Sequence, residues 1–221
     1  MTGASQASNP GSIPGYRIFM SSLDDSLTLD EQIEKAVSVL NRDGLVVYPT
    51  ETVYGLGADA LSDTAVLRIY EAKKRLLGKP VSIAVSDIDM IYGVACVDEL
   101  SEIFIKKFLP GPVTIILPAK QVLPEALTGG TGMIGIRYPD HQIALQLISA
   151  LDSPITSTSA NISGEVSPTT AEMVNVPHDY MIDGGSLPGT PSTVVNLAER
   201  KIVRPGAMLD DVASFLKEHT E

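Results

Sequence analysis

The sequence has one cysteine, Cys96, and no tryptophan. A single thiol excludes an internal disulfide framework and a metal site built from cysteines. The three histidines, His141, His178 and His219, stand far apart, which argues against a histidine-rich zinc site. Apolar runs are short, and none approaches the ~18 residues that a bilayer span needs. No membrane helix is therefore expected. Positive charge is also scarce: 16 Lys and Arg stand against 27 Asp and Glu, a net charge of −11. Proteins that hold nucleic acid through bulk charge are usually basic, so that class is disfavoured as the main activity.

What remains is ordinary globular composition over 221 residues, with 44% hydrophobic and 19% charged side chains. Disorder and collagen are excluded as whole-chain descriptions. The length suits one domain that can bury its own core without staples. Residues 1–15 are small, polar and turn-prone, and read as a disordered tail before a domain over 16–221. The tail lacks a basic stretch followed by an apolar one, and it lacks arginine, so neither a secretory signal nor a transit peptide is expected. Cytoplasm is the default location.

Periodicity places the elements. Thr28 and Glu31 form a capping-box pattern ahead of a helix over 29–41, with Ile33, Ala36, Val37 and Leu40 as its apolar stripe. Further helices are expected over 62–77, 88–93, 99–108, 141–151 and 210–218. Short apolar runs at 45–48, 81–85, 113–117, 133–137, 154–157, 180–182, 193–197 and 201–203 read as strands. Three residues between the last two force antiparallel pairing, while other strands are separated by helices. A mixed sheet with helices outside it, in a single α/β domain, follows.

Four polar segments interrupt this pattern where a core alone would not need them. YPTETVYGLGAD (48–59) follows a strand but lacks phosphate-loop spacing, and its Gly55-x-Gly57 also suits a plain turn. AKKRLLGKP (72–80) gathers cations at a helix C-terminus, where they suit either an anion or the helix dipole. TSTSANISG (156–164) offers hydroxyls and an amide after a strand. GTPSTVVN (189–196) and VRPG (203–206) complete the set. Together they describe one polar pocket at strand ends, with cations for phosphate and carboxylate groups and glycines for close backbone approach. A triad of Ser157, Ser159 and His141 is not supported by their arrangement, and Cys96 lies in an apolar, structural stretch. Binding and electrostatic stabilisation suit the pocket better than covalent catalysis. Alternation along 133–137 sets Gly135 and Arg137 opposite Ile134 and Ile136. Arg137 then points over a surface bared by glycine toward a cavity, or else pairs with an acid such as Asp140.

YPTETVYGLGADA, Lys73-x-Arg75 with Lys79-Pro80, FLPGPVTIIL, IGIRYPDH, TSANISG, PSTVVN and VRPG, in that order, resemble the YrdC/Sua5 family over about residues 29–216. The chain ends soon after VRPG, so the resemblance is to the short, single-domain type. Leu76 departs from a proline frequent in the family, and Lys79 and Ala84 stand where long members carry asparagine and histidine, closer to the short type. The resemblance implies a three-layer α/β fold, YrdC-like, with a twisted mixed parallel/antiparallel sheet and a concave basic cavity. It implies a nucleotidyltransferase that makes threonylcarbamoyl-adenylate from L-threonine, bicarbonate or CO₂, and ATP, releasing pyrophosphate. A separate transferase complex would then carry the group to tRNA, giving N6-threonylcarbamoyladenosine. By the same resemblance, Thr52, Arg137, Ser157 and Ser192 contact threonine. Lys73, Arg75, Lys79, Ser159, Asn161, Ser167 and Arg204 line the nucleotide side, with Lys73 and Arg75 catalytic. Mg²⁺ comes with the triphosphate, and the protein itself supplies no metal site. Two other readings stay open: a module that binds tRNA or double-stranded RNA on the basic face, and a paralogue acting on another carbamoyl-type substrate.

Overall fold

The computed structural model describes residues 27–219. The proposed tail, residues 1–15, and the start of the domain as drawn from residue 16 lie outside them. The elements run α1 (Leu29–Leu40), β1 (Val46–Tyr48), β2 (Gly55–Gly57), α2 (Asp63–Ala72), β3 (Ile83–Ala84), α3 (Ile88–Val94), α4 (Glu99–Phe108) and β4 (Val113–Pro118). They continue through α5 (Glu125–Thr128), β5 (Met133–Arg137), α6 (Gln142–Leu151), β6 (Ile155–Thr156), β7 (Thr158–Ser159), β8 (Tyr180–Met181), β9 (Thr193–Asn196), β10 (Lys201–Arg204) and α7 (Leu209–Glu218).

Helix starts are written in the sequence. Thr28 and Glu31 satisfy each other's backbone N–H groups in a full capping box. Ser62, Asp87 and Asp98 cap α2, α3 and α4 in the same way, each accepting from an amide three residues on. The helix end that differs most from expectation is that of α2. It stops at Ala72 rather than near residue 77, because Lys74 turns into the left-handed region at φ 49°. The cations of AKKRLLGKP therefore belong to a turn, and α2 carries no basic residue in its last turn.

The strands form two mixed sheets rather than one. One has the order β7-β2-β1-β8 and the other β10-β9-β4-β5-β3-β6. β9 and β10 pair antiparallel, as their short connection demands. The sheets are seamed at Ser157, the residue between β6 and β7, and by the Thr156 amide donating to the Ala58 carbonyl at 2.8 Å. The strand content of 55–57 and 158–159 escaped the hydropathy pattern because glycines and hydroxyls carry no apolar alternation.

Three layers result. Alternation sends Val46 and Tyr48 to one face, where they pack with Ile33, Ala36 and Leu40 of α1 and Ala144, Leu147 and Ile148 of α6. Val47, Leu56, Ile83, Ile115, Ile134 and Ile136 face the opposite layer with Ile69, Phe104 and Phe215 of α2, α4 and α7. Ala84 is fully buried in the first cluster, and Leu76 is 70% exposed at the turn tip. Cys96 is exposed, not buried in an apolar stretch. Among the described residues no helix is long and apolar enough to cross a membrane.

Gly206 shows how tightly the end of the sheet is built. A Cβ there would fall 2.5 Å from the Ser192 carbonyl carbon, and closer still to the Pro191 oxygen. Gly206→Ala should push β10 away from the start of β9 and cost about 1–3 kcal/mol by overpacking. Urea unfolding of the variant against the parent measures it, and an unchanged midpoint would contradict this account.

Candidate functional site

The polar segments converge on one cavity of about 280 Å³ where the two sheets meet. Its lining contains Lys73, Arg75, Arg137 and Arg204 and no acidic residue. In a protein of net charge −11 this is a strong local inversion of sign. Thr52, Ser157, Ser159, Asn161, Ser167 and Ser192 also line it. Of the residues singled out by sequence, Lys79 alone is not on the wall. Its side chain is exposed, and its carbonyl accepts from Tyr70 Oη at 2.9 Å and Arg75 Nε at 3.3 Å.

Each cation is held by main-chain oxygen. Lys73, the residue capping α2, donates through Nζ to the Ser159 carbonyl and, at 2.6 Å, to the Asn161 carbonyl. Arg75 reaches the Pro80 carbonyl at 2.8 Å, fixing the turn on which both cations sit. Arg137 ends β5 and donates Nε to the Gly111 carbonyl at 3.1 Å. Arg204 ends β10 and donates to the Ser192 carbonyl at 2.9 Å and its hydroxyl at 3.1 Å. Burial, and then the nearby Arg75 charge, push the Lys73 ammonium down to about 8. Burial, and then the Arg137 charge, also lower Arg204. These are the signatures of cations brought together out of water.

The hydroxyls form directed chains. Thr50 Oγ1 donates to the Val53 carbonyl at 2.7 Å, so in the 2.9 Å Thr50–Thr52 contact Thr52 must be the donor. Thr52 Oγ1 also accepts from Arg137 Nη2 at 3.3 Å. One Thr52 lone pair is left, and it can accept from a ligand ammonium or hydroxyl. On the other wall Ser192 Oγ meets Thr114 Oγ1 at 2.9 Å. Asn161 ties its turn together by donating to the Ile162 and Glu165 carbonyls, each at 2.9 Å. Its buried Oδ1 has no protein partner.

Gly55-x-Gly57 belongs to a strand and makes room for a tyrosine. A Cβ at Gly55 would lie 2.9 Å from Tyr48 Cζ, and one at Gly57 3.0 Å from Cε1. The Tyr48 ring is fully buried, its hydroxyl donates to the Thr156 carbonyl at 3.2 Å, and burial raises it to about 12. Tyr48 thus stays neutral and props the seam beside Ser157. Arg137 does pair with an acid, but the partner is Glu51 at 2.7 Å, not Asp140. The face of Gly135 is not open: Ser82 packs over it. Thr50, from the polar segment 48–59, also lines the wall, as do Ser82 and Thr114, which the sequence pattern does not mark as site residues. Thr114 was findable as the polar residue among the apolar side chains of β4. His141 is not on the wall, so no serine–histidine arrangement faces the cavity. Among the described residues no cluster of three or more His, Cys, Asp or Glu could hold a metal ion.

A family model for Sua5, YciO and YrdC, described as telomere recombination, matches residues 38–206. The chain belongs to this family. It is 40% identical over 198 residues to a threonylcarbamoyl-AMP synthase of Pyrococcus abyssi, covering 85% of this chain and 58% of the relative. It is 39% identical to the Bacillus subtilis enzyme of that name over 203 residues, covering 87% and 58%. The chain thus spans less than two thirds of the length of these relatives. A crystal structure of P. abyssi Sua5 complexed with L-threonine superposes with a TM-score of 0.80 at 40% identity, over 83% of this chain and 56% of that one. The mixed-sheet fold of the YrdC/Sua5 resemblance is the fold observed.

The lowered Lys73 gives a pH test. Below about 8 its ammonium is charged and can bind phosphate; above that it loses its proton. Calorimetry with inorganic triphosphate should show wild type well ahead of Lys73→Met at pH 7, with the gap narrowing by pH 9.5. The unfolded chain keeps this proton to its ordinary 10.5, so between about 8 and 10.5 rising pH favours the folded state at this residue. A gap that persists undiminished at high pH would contradict the assignment.

Proposed function

We propose that the chain condenses L-threonine, bicarbonate or CO₂, and ATP into L-threonylcarbamoyladenylate and pyrophosphate, the first step of tRNA N6-threonylcarbamoyladenosine formation. The observation that carries this reading is the cavity itself, with four cations, paired hydroxyls and no lining acid. The names of its relatives and the threonine complex of P. abyssi Sua5 support the same reading. The threonine amine combines with CO₂ to give a carbamate, whose oxygen attacks the α-phosphorus as pyrophosphate leaves. The reacting groups are mostly anionic, so the protein must supply positive charge and alignment, which can be worth ~7–11 kcal/mol when partners are held in line.

Arg137, Thr52, Ser157 and Ser192 take the threonine side in this reading. Nε and Nη2 of Arg137 are spent on Gly111, Thr52 and Glu51, which leaves Nη1 for the substrate carboxylate. The remaining lone pair of Thr52 suits the substrate ammonium or hydroxyl. Lys73, Arg75 and Arg204 face the phosphates, with Ser159, Asn161 and Ser167 nearby; the exposed Lys79 is left out of that set. The wall offers hydroxyls rather than a carboxylate cage, so Mg²⁺ would be held by phosphate oxygens and water and not by the protein. We place the reaction in the cytoplasm, with a separate transferase complex taking the adenylate. An RNA-binding module is less well supported, because the cations line one small cavity within an acidic protein.

Pyrophosphate release from ATP should require both threonine and bicarbonate. Release that ignores either co-substrate would sink the proposal. Arg137→Lys keeps the charge but loses the planar fork, so threonine affinity by calorimetry should fall in Arg137→Lys and further in Arg137→Ala. ATP affinity should change less in both. The reverse pattern would place Arg137 on the nucleotide side.

A further inference from the structure

Glu51 is not among the residues that line the cavity. It is an acid placed against a cationic site, in the turn between β1 and β2, and it is largely buried. Its Oε1 accepts from Arg137 Nη2 at 2.7 Å and from the Asp140 amide at 3.2 Å. One oxygen thus ties both ends of the segment 137–140, where the chain leaves β5 for α6. Its other oxygen, Oε2, is buried without a hydrogen-bond partner. His141 Nδ1, on the residue after Asp140, is likewise buried and unpartnered.

The electrostatic setting explains why an acid is needed there. The Arg137 charge is felt at Arg204, so two guanidinium groups converge on one end of the cavity. Gly111, Thr52 and Ser192 contribute dipoles to them but no charge. Glu51 is the one carboxylate in an ion pair with either, among the described residues. It is not part of the lining, and it takes Arg137 Nη2, the nitrogen already shared with Thr52, leaving Nη1 free. A counter-charge in that position offsets the repulsion without occupying the space a ligand would use.

We infer that Glu51 is a positioning residue, whose carboxylate holds the Arg137 guanidinium at Nη2 so that its free Nη1 meets a substrate carboxylate. This rests on the threonine reading of the cavity. Without Glu51, Arg137 keeps its charge but loses its aim, and repulsion from Arg204 displaces it. The effect should be confined to ligands that carry a carboxylate. It should be felt in binding more than in turnover at saturation, because Glu51 touches no reacting atom.

The test compares L-threonine with L-threonine amide, which lacks the carboxylate charge, on wild type, Glu51→Ala and Glu51→Gln. Affinities come from calorimetry, KM and kcat from pyrophosphate release, and folding from thermal melts. Loss of a charged hydrogen bond should weaken threonine binding by about tenfold or more in Glu51→Ala. KM should rise accordingly, with a much smaller change in kcat. The amide should bind wild type and Glu51→Ala almost equally. Glu51→Gln keeps a hydrogen-bond acceptor and the side-chain volume, so it should recover part of the lost affinity. It also keeps the test decisive if the alanine variant melts early. Equal loss for threonine and its amide would make Glu51 merely structural and overturn the inference. Tighter threonine binding in Glu51→Ala would overturn it too, by making Glu51 a competitor for Arg137. If wild type binds threonine and both variants match it, this inference alone falls. If wild type does not bind threonine at all, the functional reading falls and takes the inference with it.

Discussion

Four like charges around one small cavity repel each other, and main-chain carbonyl oxygens keep them there. Lys73 is held by Ser159 and Asn161, Arg75 by Lys79 and Pro80, Arg137 by Gly111 and Arg204 by Ser192. A carbonyl dipole stabilises a cation without cancelling its charge, so the positive field survives for a ligand. A wall of carboxylates would have held the same side chains and neutralised them. The loops that supply these oxygens are therefore as much a part of the site as the cations. Their turns, at Lys74, the Pro110–Pro112 segment and the Asn161 loop, follow from where the carbonyls must point.

The same arrangement accounts for the contrast between the whole molecule and its cavity. At physiological ionic strength, exposed charges are screened over ~8 Å, so acids elsewhere on the surface have little reach into the cavity. Inside, burial and then the neighbouring cations lower Lys73 and Arg204, which marks a space where charge is poorly hydrated. Acidic surface and cationic interior can thus coexist in one chain.

Much of this was legible in the residues. Capping patterns at Thr28, Ser62, Asp87 and Asp98 mark helix starts, because cap chemistry is local. Met133–Arg137 appears with its expected bounds because apolar alternation is also local. The polar segments were legible as interruptions of the apolar pattern, whereas the eleven individual residues came from the family resemblance; ten of them line the cavity. The misses have a common cause, which is that they depend on partners distant in sequence. The pairing of Arg137 with Glu51 spans the seam between sheets, and nothing near Arg137 favours it over Asp140. The division into two sheets is invisible because β6 and β7 are two residues long and adjoin at Ser157. Lys79 enters through the family resemblance; in the structure the turn at Lys74 directs its backbone carbonyl toward Arg75, and its side chain is exposed.

The seam at Ser157 has a thermodynamic consequence. Thr52 and Ser159 belong to the side of β1, β2 and β7, whereas Arg137, Ser192 and Arg204 belong to the other sheet or its edge. Any small molecule that fills the cavity and bonds to both adds a tie between two sheets that already share their buried clusters. Its binding energy then appears as resistance of the whole domain to unfolding, worth ~2.7 kcal/mol at a hundredfold excess over the dissociation constant. Occupancy of the cavity thus adds to the cohesion that the shared core already gives the two sheets, and the domain is at its least stable when the cavity is vacant.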